Sequence, residues 1–175
     1  EDTQWRQLLL KARYKRIAPL TDDKVLTAWN GLMITAMARA YKICGEKKYL
    51  DSAVKSANFI LTKMRSKEGR LLRSSRLGQS KIHAFLDDYA NLIEALTHLY
   101  EADFDERWLK EAESLAAEMH ILFDAGKMGA YYYTANEKSS LITRSRSFDD
   151  NATPNGNASA CLSFLRLFAL TGKVD

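Results

Sequence analysis

The sequence predicts an all-α protein whose repeated α-hairpins form part of an (α/α) toroid, with a small β-hairpin inserted between helices. Three observations support this prediction. Apolar residues recur at helical spacing along most of the 175 residues. A two-helix unit repeats along the chain, and helices with few charges alternate with helices that carry many.

The predicted elements lie between glycine and proline breaks. Helices are expected at 4–16, 28–43, 47–64, 89–102, 105–122 and 157–171. The stretch 69–75 is expected to be extended. The stretches 131–134 and 140–145 are expected to pair as the β-hairpin, because they contain aromatic and β-branched residues.

The internal repeat becomes visible when the chain is shifted against itself by 59 residues. Tyr41 then falls on Tyr100, and Ala53 falls on Ala112. Each unit is a helix, a short turn and a second helix, which is typical of stacked helix pairs. A third unit begins near Asn155 and supplies only its first helix. We therefore expect 1–175 to be a single domain and a fragment of a larger six-hairpin toroid.

Charge density predicts which helices are inner and which are outer. The helices at 28–43 and 89–102 carry two charges each and that at 157–171 carries one, whereas those at 47–64 and 105–122 carry five and seven. A helix with few charges is buried on several sides, and an amphipathic helix faces water. The first helix of each pair is thus expected to be inner, as in a toroid. An open α-solenoid is the alternative.

Composition excludes several classes of protein. Hydrophobic residues make up 46% and charged residues 27% of the chain, which excludes global disorder. No apolar run approaches the roughly 20 residues that a membrane-spanning helix needs. The chain begins with acidic residues and continues with basic ones, the reverse of a signal peptide. We expect a cytoplasmic protein, with Cys44 and Cys161 as small core residues.

One basic stretch accounts for much of the positive charge. Residues 63–81 carry seven basic residues and one acidic residue, whereas 82–137 carry twelve acidic and three basic. Such a stretch can contact phosphates or an anionic sugar, although a solvated loop is the simpler interpretation. It has no interleaved aromatic residues, so nucleic acid is not an expected partner.

Three pairs of adjacent aspartates precede the predicted inner helices: Asp22-Asp23, Asp87-Asp88 and Asp149-Asp150. In a toroid, the starts of the inner helices converge at one end of the axis. One aspartate of each pair is explained as a helix N-cap. The second is available to bind ligand hydroxyls or to act as an acid or base.

These junctions supply the candidate site residues. The catalytic candidates are Asp23, Asp88, Asp150 and, as a proton carrier, His83. The substrate-binding candidates are Asp22, Trp29, Asn30, Asp87, Tyr89, Tyr132, Asp149, Asn155 and Asn157. Carboxylates beside aromatic faces suit a polyhydroxylated ring, while ordinary core packing is the alternative for Trp29 and Tyr89. No cofactor motif is present and the histidines lack ligand spacing, so neither a cofactor nor a metal is expected.

Three segments carry a resemblance to a known family. KRIAPLTDDKVLTAWNGLMITAMARAY (15–41), AFLDDYANLIEALTHLYE (84–101) and DDNATPNGNASACLSFLRLFALTG (149–172) are similar to the C-terminal portion of YyaL-like proteins. These are related to the spermatogenesis-associated proteins. The resemblance implies a toroid like those of six-hairpin glycosidases and N-acylglucosamine 2-epimerases, with a thioredoxin-like domain upstream. The third motif of the family often contains serine where this chain has Asn155.

Two functions are consistent with these features. The first is carbohydrate binding or catalysis, either hydrolase-like or epimerase-like, with a sugar as the ligand. Hydrolysis would use Asp88 and Asp23, with Asp150 third, whereas epimerisation would favour His83. The alternative is a non-catalytic helical-repeat module that binds a partner protein or supports the thioredoxin-like domain. Exposed apolar faces of the inner helices also predict a homo-oligomer. No membrane partner is expected, because no apolar run is long enough to cross a bilayer.

Overall fold

The helices of the computed structural model follow the predicted order, and the structure describes residues 2–126, 129–136 and 142–173. Within these residues the helices are α1 Asp2–Arg13, α2 Thr27–Cys44, α3 Lys47–Lys63, α4 Leu86–Asp103, α5 Glu106–Phe123 and α6 Gly156–Thr171. The strands are β1 Val25–Leu26, β2 Leu72–Arg76 and β3 Gln79–His83. The predicted all-α fold with a small β insertion is confirmed.

The two complete hairpins repeat in structure as they do in sequence. The first helices, α2 and α4, are both 18 residues long. Each ends in a left-handed residue, Gly45 with φ 71° and Phe104 with φ 58°, whose N–H donates to a carbonyl four residues earlier. Helix α6 ends in the same way at Gly172, with φ 69°. The shared ending identifies α6 as the first helix of a third unit.

Helix α4 lies at the centre of the packing. It contacts α2 on one side and α6 on the other, whereas α3 packs on α2 and α5 packs on α4. The first helices of the units therefore form one layer and the second helices form another, as charge density predicts. Twelve residues of α4 are buried, against five of α2 and four of α6. The difference arises because α2 and α6 form the two edges of the inner layer.

Small residues allow the inner helices to approach closely. A Cβ atom placed on Gly31 of α2 would lie 2.8 Å from the backbone carbonyl of Asn91 on α4. A Cβ atom on Gly156 would lie 3.2 Å from the Leu86 side chain. Between α4 and α5, the core contains the fully buried Tyr89 and Phe123, whose rings meet edge to face at 5.4 Å.

The antiparallel sheet connects the first hairpin to α4. Strand β2 pairs with β1, Val25 opposite Ser75, and with β3, Leu72 opposite His83. Leu77 and Gly78, which join β2 to β3, both have positive φ, as a two-residue hairpin turn requires. Because β1 ends where α2 begins, the sheet fixes the direction in which α2 leaves it.

Two predictions about local structure are wrong. The β-hairpin lies at 72–83, and residues 131–134 and 142–145 form no strand; 137–141 lie outside the described residues. Tyr131 instead forms an isolated bridge with Asp124, and the Tyr133 N–H donates to the Ser145 carbonyl at 2.9 Å without a strand being formed. Cys44 and Cys161 are exposed, the first at the end of α2 and the second on an edge of the inner layer.

Most arginines of the basic stretch are paired with acidic side chains. Arg65 Nη1 lies 3.3 Å and Arg70 Nε 3.5 Å from the Glu118 carboxylate on α5. Arg73 binds aspartates at the start of α4. The stretch is therefore only partly a solvated loop, because its charges join the strands to the helices. None of the described helices has the length and apolar character to span a membrane.

Replacing Gly31 by alanine is expected to lower the free energy of unfolding by about 2 kcal/mol, because the added methyl would overlap the α4 backbone. On an open helix face the same change raises stability by about 1 kcal/mol. Urea denaturation measures the effect. The control is Ala36→Gly on the exposed side of α2, where a loss of about 1 kcal/mol is expected. A Gly31→Ala variant more stable than the wild type would contradict the close approach.

The edges of the inner layer are expected to cause self-association. Leu162, Leu165 and Phe168 on α6 are 47%, 61% and 50% exposed, and Trp29 on α2 is 61% exposed. Leu165→Glu with Phe168→Glu should weaken association by about tenfold, measured by size-exclusion chromatography with light scattering. The matched control is Ser52→Glu on α3. A wild-type chain that stays monomeric at high concentration would contradict this prediction.

Candidate functional site

The amino-terminal ends of α2, α4 and α6 meet at one end of the inner layer. The N–H of Ala28, at the start of α2, donates to Asp88 Oδ1 at 2.9 Å. A Cβ atom on Gly156, at the start of α6, would lie 3.4 Å from the backbone nitrogen of Asp87. The Asp87-Asp88 junction therefore lies between the other two helix starts.

Asp88 is fully buried and bound to three separate elements. Its Oδ2 accepts the Phe85 N–H at 2.9 Å and the Arg73 Nη1–H at 2.8 Å, in addition to the Ala28 bond at Oδ1. Burial and the neighbouring Asp87 charge raise the pKa of Asp88 to about 6, against the opposing effect of Arg73 and the two backbone N–H groups. These contacts make Asp88 a positioning group that joins β2, α2 and α4.

Arg73 extends this network towards the surface. Its Nη1 lies 3.1 Å from Asp87 Oδ1, and its guanidinium lies 4.7 Å from the centre of the Phe85 ring. The side chain is 23% exposed. Arg73 belongs to the basic stretch 63–81, for which contact with phosphates or an anionic sugar, or a solvated loop, is predicted from the sequence. The sequence feature that could have indicated this pairing is the position of Arg73 on an extended stretch 14 residues before Asp87.

Asp87 and Tyr133 complete the accessible part of the site. The Asp87 side chain is 17% exposed. Burial, together with the charge of the nearby Asp87, raises the pKa of the Tyr133 hydroxyl. The Tyr133 ring lies 5.0 Å from the Phe85 ring, and its carbonyl accepts the Leu86 N–H at 3.1 Å. A carboxylate, a guanidinium and two aromatic rings thus lie together.

The α2 junction is more open. Asp22 pairs with Lys24 at 3.1 Å, and Asp23 pairs with Arg76 of β2. Trp29 is largely exposed. Asn30 is used internally, since its Nδ2 donates to the Leu26 carbonyl at 2.8 Å and its Oδ1 accepts from Ser56 at 3.1 Å.

The α6 junction is organised by asparagines. Asn155 is the N-cap, and its Oδ1 accepts the N–H groups of Asn157 and Ala158 at 2.9 and 3.3 Å. Asp150 Oδ1 accepts the Asn155 N–H at 2.8 Å, and the Asp149 carbonyl accepts from Asn155 Nδ2 at 3.2 Å. The aspartates therefore support the loop before the cap rather than the cap itself.

Four other candidates lie in different surroundings. Asn157 binds the Tyr131 backbone through both ends of its amide, at 2.8 and 3.1 Å. Tyr89 is fully buried and donates its hydroxyl to Glu118 at 2.6 Å, and burial raises its pKa, so its structural position is in the core. Tyr132 lies 4.0 Å from the Arg144 guanidinium. His83 is exposed at the end of β3. Among the described residues, no group of three potential metal ligands occurs.

The two-layered hairpins and the junction at one end define the chain as part of an (α/α)-toroid protein. A D-mannose isomerase superposes with a TM-score of 0.71 at 17% identity, over 86% of this chain and 38% of that one. A cellobiose 2-epimerase from Bacillus thermoamylovorans B4167 gives 0.67 at 14% identity, over 89% and 42%. A family GH76 α-mannanase from Bacteroides thetaiotaomicron gives 0.66 at 15%, over 89% and 39%. At these identities, the likeness shows the fold alone.

Sequence comparison identifies the particular relatives. The chain is a homologue of spermatogenesis-associated protein 20, being 32% identical to the Homo sapiens protein over 177 residues, which are 95% of this chain and 22% of that protein. It is 35% identical over 178 residues to an uncharacterized protein of Caenorhabditis elegans, covering 97% of this chain and 24% of that protein. The chain thus spans about a quarter of the length of these relatives. No protein-family model matches it.

Replacing Asp88 by asparagine is expected to lower the free energy of unfolding by about 3 kcal/mol at mildly acidic pH, because the amide NH2 would face the Phe85 and Arg73 donors, whereas both oxygens of a neutral carboxyl keep lone pairs that can accept from them. The raised folded-state pKa means that the Asp88 contribution is fully present below about pH 4 and is lost as pH rises through about 6. The difference between wild type and variant should therefore narrow from pH 4 towards pH 7.

Denaturant titrations across this pH range measure the difference, with Asp22→Asn as the exposed control, which is expected to change the free energy of unfolding little at any of these pH values. A wild-type advantage that widens as pH rises would contradict a raised Asp88 pKa.

Proposed function

We propose that the end of the inner layer where α2, α4 and α6 begin binds a carbohydrate, and that the complete protein acts on it in a glycosidase-like or epimerase-like reaction. The observation that carries the proposal is the placement of Asp87 and Arg73 beside the rings of Phe85 and Tyr133. These four side chains are partly accessible and converge from β2, the start of α4 and the segment after α5.

This combination of groups matches the chemistry of a sugar. A carboxylate accepts hydrogen bonds from hydroxyl groups and a guanidinium donates to their oxygens, while aromatic faces pack against the C–H face of the ring. Asp88 binds Arg73, and Arg73 in turn pairs with Asp87, so the Asp87 side chain is held in place. A preorganised group of this kind loses little entropy when a ligand binds.

The names of the structural neighbours support the same ligand class. They include a mannose isomerase, a cellobiose epimerase and an α-mannanase, all of which use this architecture on sugars. Because one fold hosts many activities, this support is an analogy, and the proposal depends mainly on the geometry of the site.

An upstream thioredoxin-like domain and the completion of a six-hairpin ring also stay predictions.

The carboxylates divide into contacting and positioning groups in this proposal. Asp87 touches the ligand, whereas the fully buried Asp88 acts through Arg73 and the helix starts. For hydrolysis, the second working carboxylate would be Asp23 or Asp150; a separation of roughly 5 Å favours retention and one of roughly 6.5–9.5 Å favours inversion. For epimerisation, His83 remains the predicted partner acid or base.

A non-catalytic role is the second candidate. This role is favoured by the exposure of apolar side chains on α1. Trp5 is 66% and Leu9 is 70% exposed, and neighbouring apolar side chains are exposed as well. Such a helix suits a protein partner. In this case the aspartates serve only as caps and ion pairs, and alanine at Asp23, Asp88 and Asp150 together would reduce stability without affecting binding or turnover.

Titration calorimetry with mannose and cellobiose tests the carbohydrate proposal. Asp87→Asn is expected to weaken sugar binding by at least about tenfold, because one hydroxyl acceptor becomes a donor, while the melting temperature changes little. Asp51→Asn, an exposed aspartate on α3, is the matched control and should bind as the wild type does. Equal sugar affinity in both variants, or no sugar binding by the complete protein, would reject the proposal.

A further inference from the structure

Polar residues occupy one equivalent position in all three inner helices. Arg39, His98 and Arg166 each lie six residues before the left-handed residue that ends their helix, which is Gly45, Phe104 or Gly172 respectively. Neighbouring helices of a repeat present equivalent positions on the same face of the layer. On α4 this face is turned away from α5, because it lies opposite the Tyr89 side chain that contacts Phe123.

One side of this cluster is closed by ion pairs. Glu101 accepts from Lys42 Nζ at 2.8 Å and from Arg166 Nη2 at 2.6 Å. Arg166 also donates through Nε to Thr97 Oγ1 at 3.0 Å. The Arg166 guanidinium is thus held by two residues of α4, and its charge is neutralised by Glu101.

The position of Arg166 determines which nitrogen of His98 is free. Arg166 Nη2 lies 3.3 Å from His98 Nδ1, and a guanidinium can only donate, so Nδ1 accepts and Nε2 carries the hydrogen. Burial and the Arg166 charge lower the pKa of His98 to about 4, which keeps the ring neutral. Among the described residues, Nε2 has no hydrogen-bond partner; the nearest carboxylate oxygen, Glu94 Oε1, lies 3.9 Å away.

Glu94 and Arg39 complete the cluster. The Glu94 side chain is 18% exposed and accepts no hydrogen bond from the described part of the chain. Arg39 is exposed and forms no ion pair there, although its charge acts on both Glu94 and His98. With His98 neutral, Arg39, Lys42 and Arg166 exceed Glu94 and Glu101 by one positive charge. The face thus has one unused acceptor, one unused donor and one unpaired cation.

We propose that Arg39, Glu94 and His98 form a subsite for a sugar acid. Glu94 accepts a hydroxyl hydrogen, the His98 Nε2–H donates to a ring or hydroxyl oxygen, and Arg39 pairs with the carboxylate of the sugar. This inference rests on the proposed function and adds the substrate class. Glu94 lies seven residues from Asp87 on α4, a rise of roughly 10 Å, so an extended ligand can reach both places.

A further unused acceptor lies between the two places. Asn91, which is 2% exposed, is four residues after Asp87 and three before Glu94, and therefore belongs to the same face of α4. Its Oδ1 has no hydrogen-bond partner among the described residues. A buried acceptor without a partner is unfavourable in a folded protein. Asn91 is thus a buried acceptor without a partner on the same side of α4 as Asp87 and Glu94.

Calorimetric titration with D-glucuronate and with D-glucose tests the subsite, because the two sugars differ in a carboxylate. Arg39→Gln is expected to weaken glucuronate binding by at least about tenfold and to change glucose binding by less than about twofold. Glu94→Gln and His98→Gln should weaken both sugars by about tenfold. Lys55→Gln, an exposed cation on α3, is the matched control and should alter neither affinity.

The outcomes separate this inference from the proposed function. If Asp87→Asn loses both sugars while the Arg39, Glu94 and His98 variants bind like the wild type, the carbohydrate site stands and the subsite is overturned. If Arg39→Gln weakens both sugars equally, the carboxylate assignment is overturned. If the wild type binds neither sugar, both proposals fall. Arg39 is exposed, so its variant is expected to fold even if a His98 variant does not, and circular dichroism checks this.

Discussion

The buried carboxylate of Asp88 is the interaction on which the inner layer depends. It accepts a hydrogen bond from the start of α2, another from the residue before α4, and a third from Arg73 on β2. A buried charge costs several kcal/mol unless it is paired and hydrogen-bonded. Since its partners come from three elements, that cost is offset only when all of them are assembled. The sheet and the first two units therefore fold together.

The same interaction orients the neighbouring carboxylate. Consecutive residues of a helix point in directions about 100° apart, so burying Asp88 turns Asp87 towards the edge of the layer. The close packing at Gly31 and Gly156 brings the other two helix starts to the same place. Asp88 holds the structure, whereas Asp87 is partly exposed and pairs with Arg73, and in the proposed function it is Asp87 that contacts the ligand. The N-cap residue of α4 is Phe85 rather than an aspartate, and Asp88 at the third helical position accepts the Phe85 N–H, so capping involves only one acid of the pair.

The helices, the internal repeat and the two layers could be predicted from the sequence, because they depend on the spacing of apolar residues, on glycine and proline breaks and on burial. The extended stretch predicted at 69–75 contains most of β2, but β3 could not be predicted, since the QSKIH strand has little β-propensity and is formed by its tight turn and by pairing with β2. The tyrosine-rich segment has that propensity but packs on helices. Arg73 was missed because its role depends on contacts across 14 and 15 residues, which charge patterns do not reveal.

The charge density of the helices predicts which of them are buried, but it does not predict the contacts of their few polar residues. A helix that is buried on several sides tolerates a charged side chain only where that charge is paired. Glu101 is paired with both Lys42 and Arg166. Glu94 and His98 are also largely buried, but the Glu94 carboxylate and the His98 Nε2–H have no hydrogen-bond partner among the described residues. Alignment of the helix ends shows that Arg39, His98 and Arg166 occupy one repeat position. The unpaired polar groups of Arg39, Glu94 and His98 are therefore a stronger indication of a binding surface than the acids at the helix starts, because Asp23, Asp88 and Asp150 are already bound by groups of the protein.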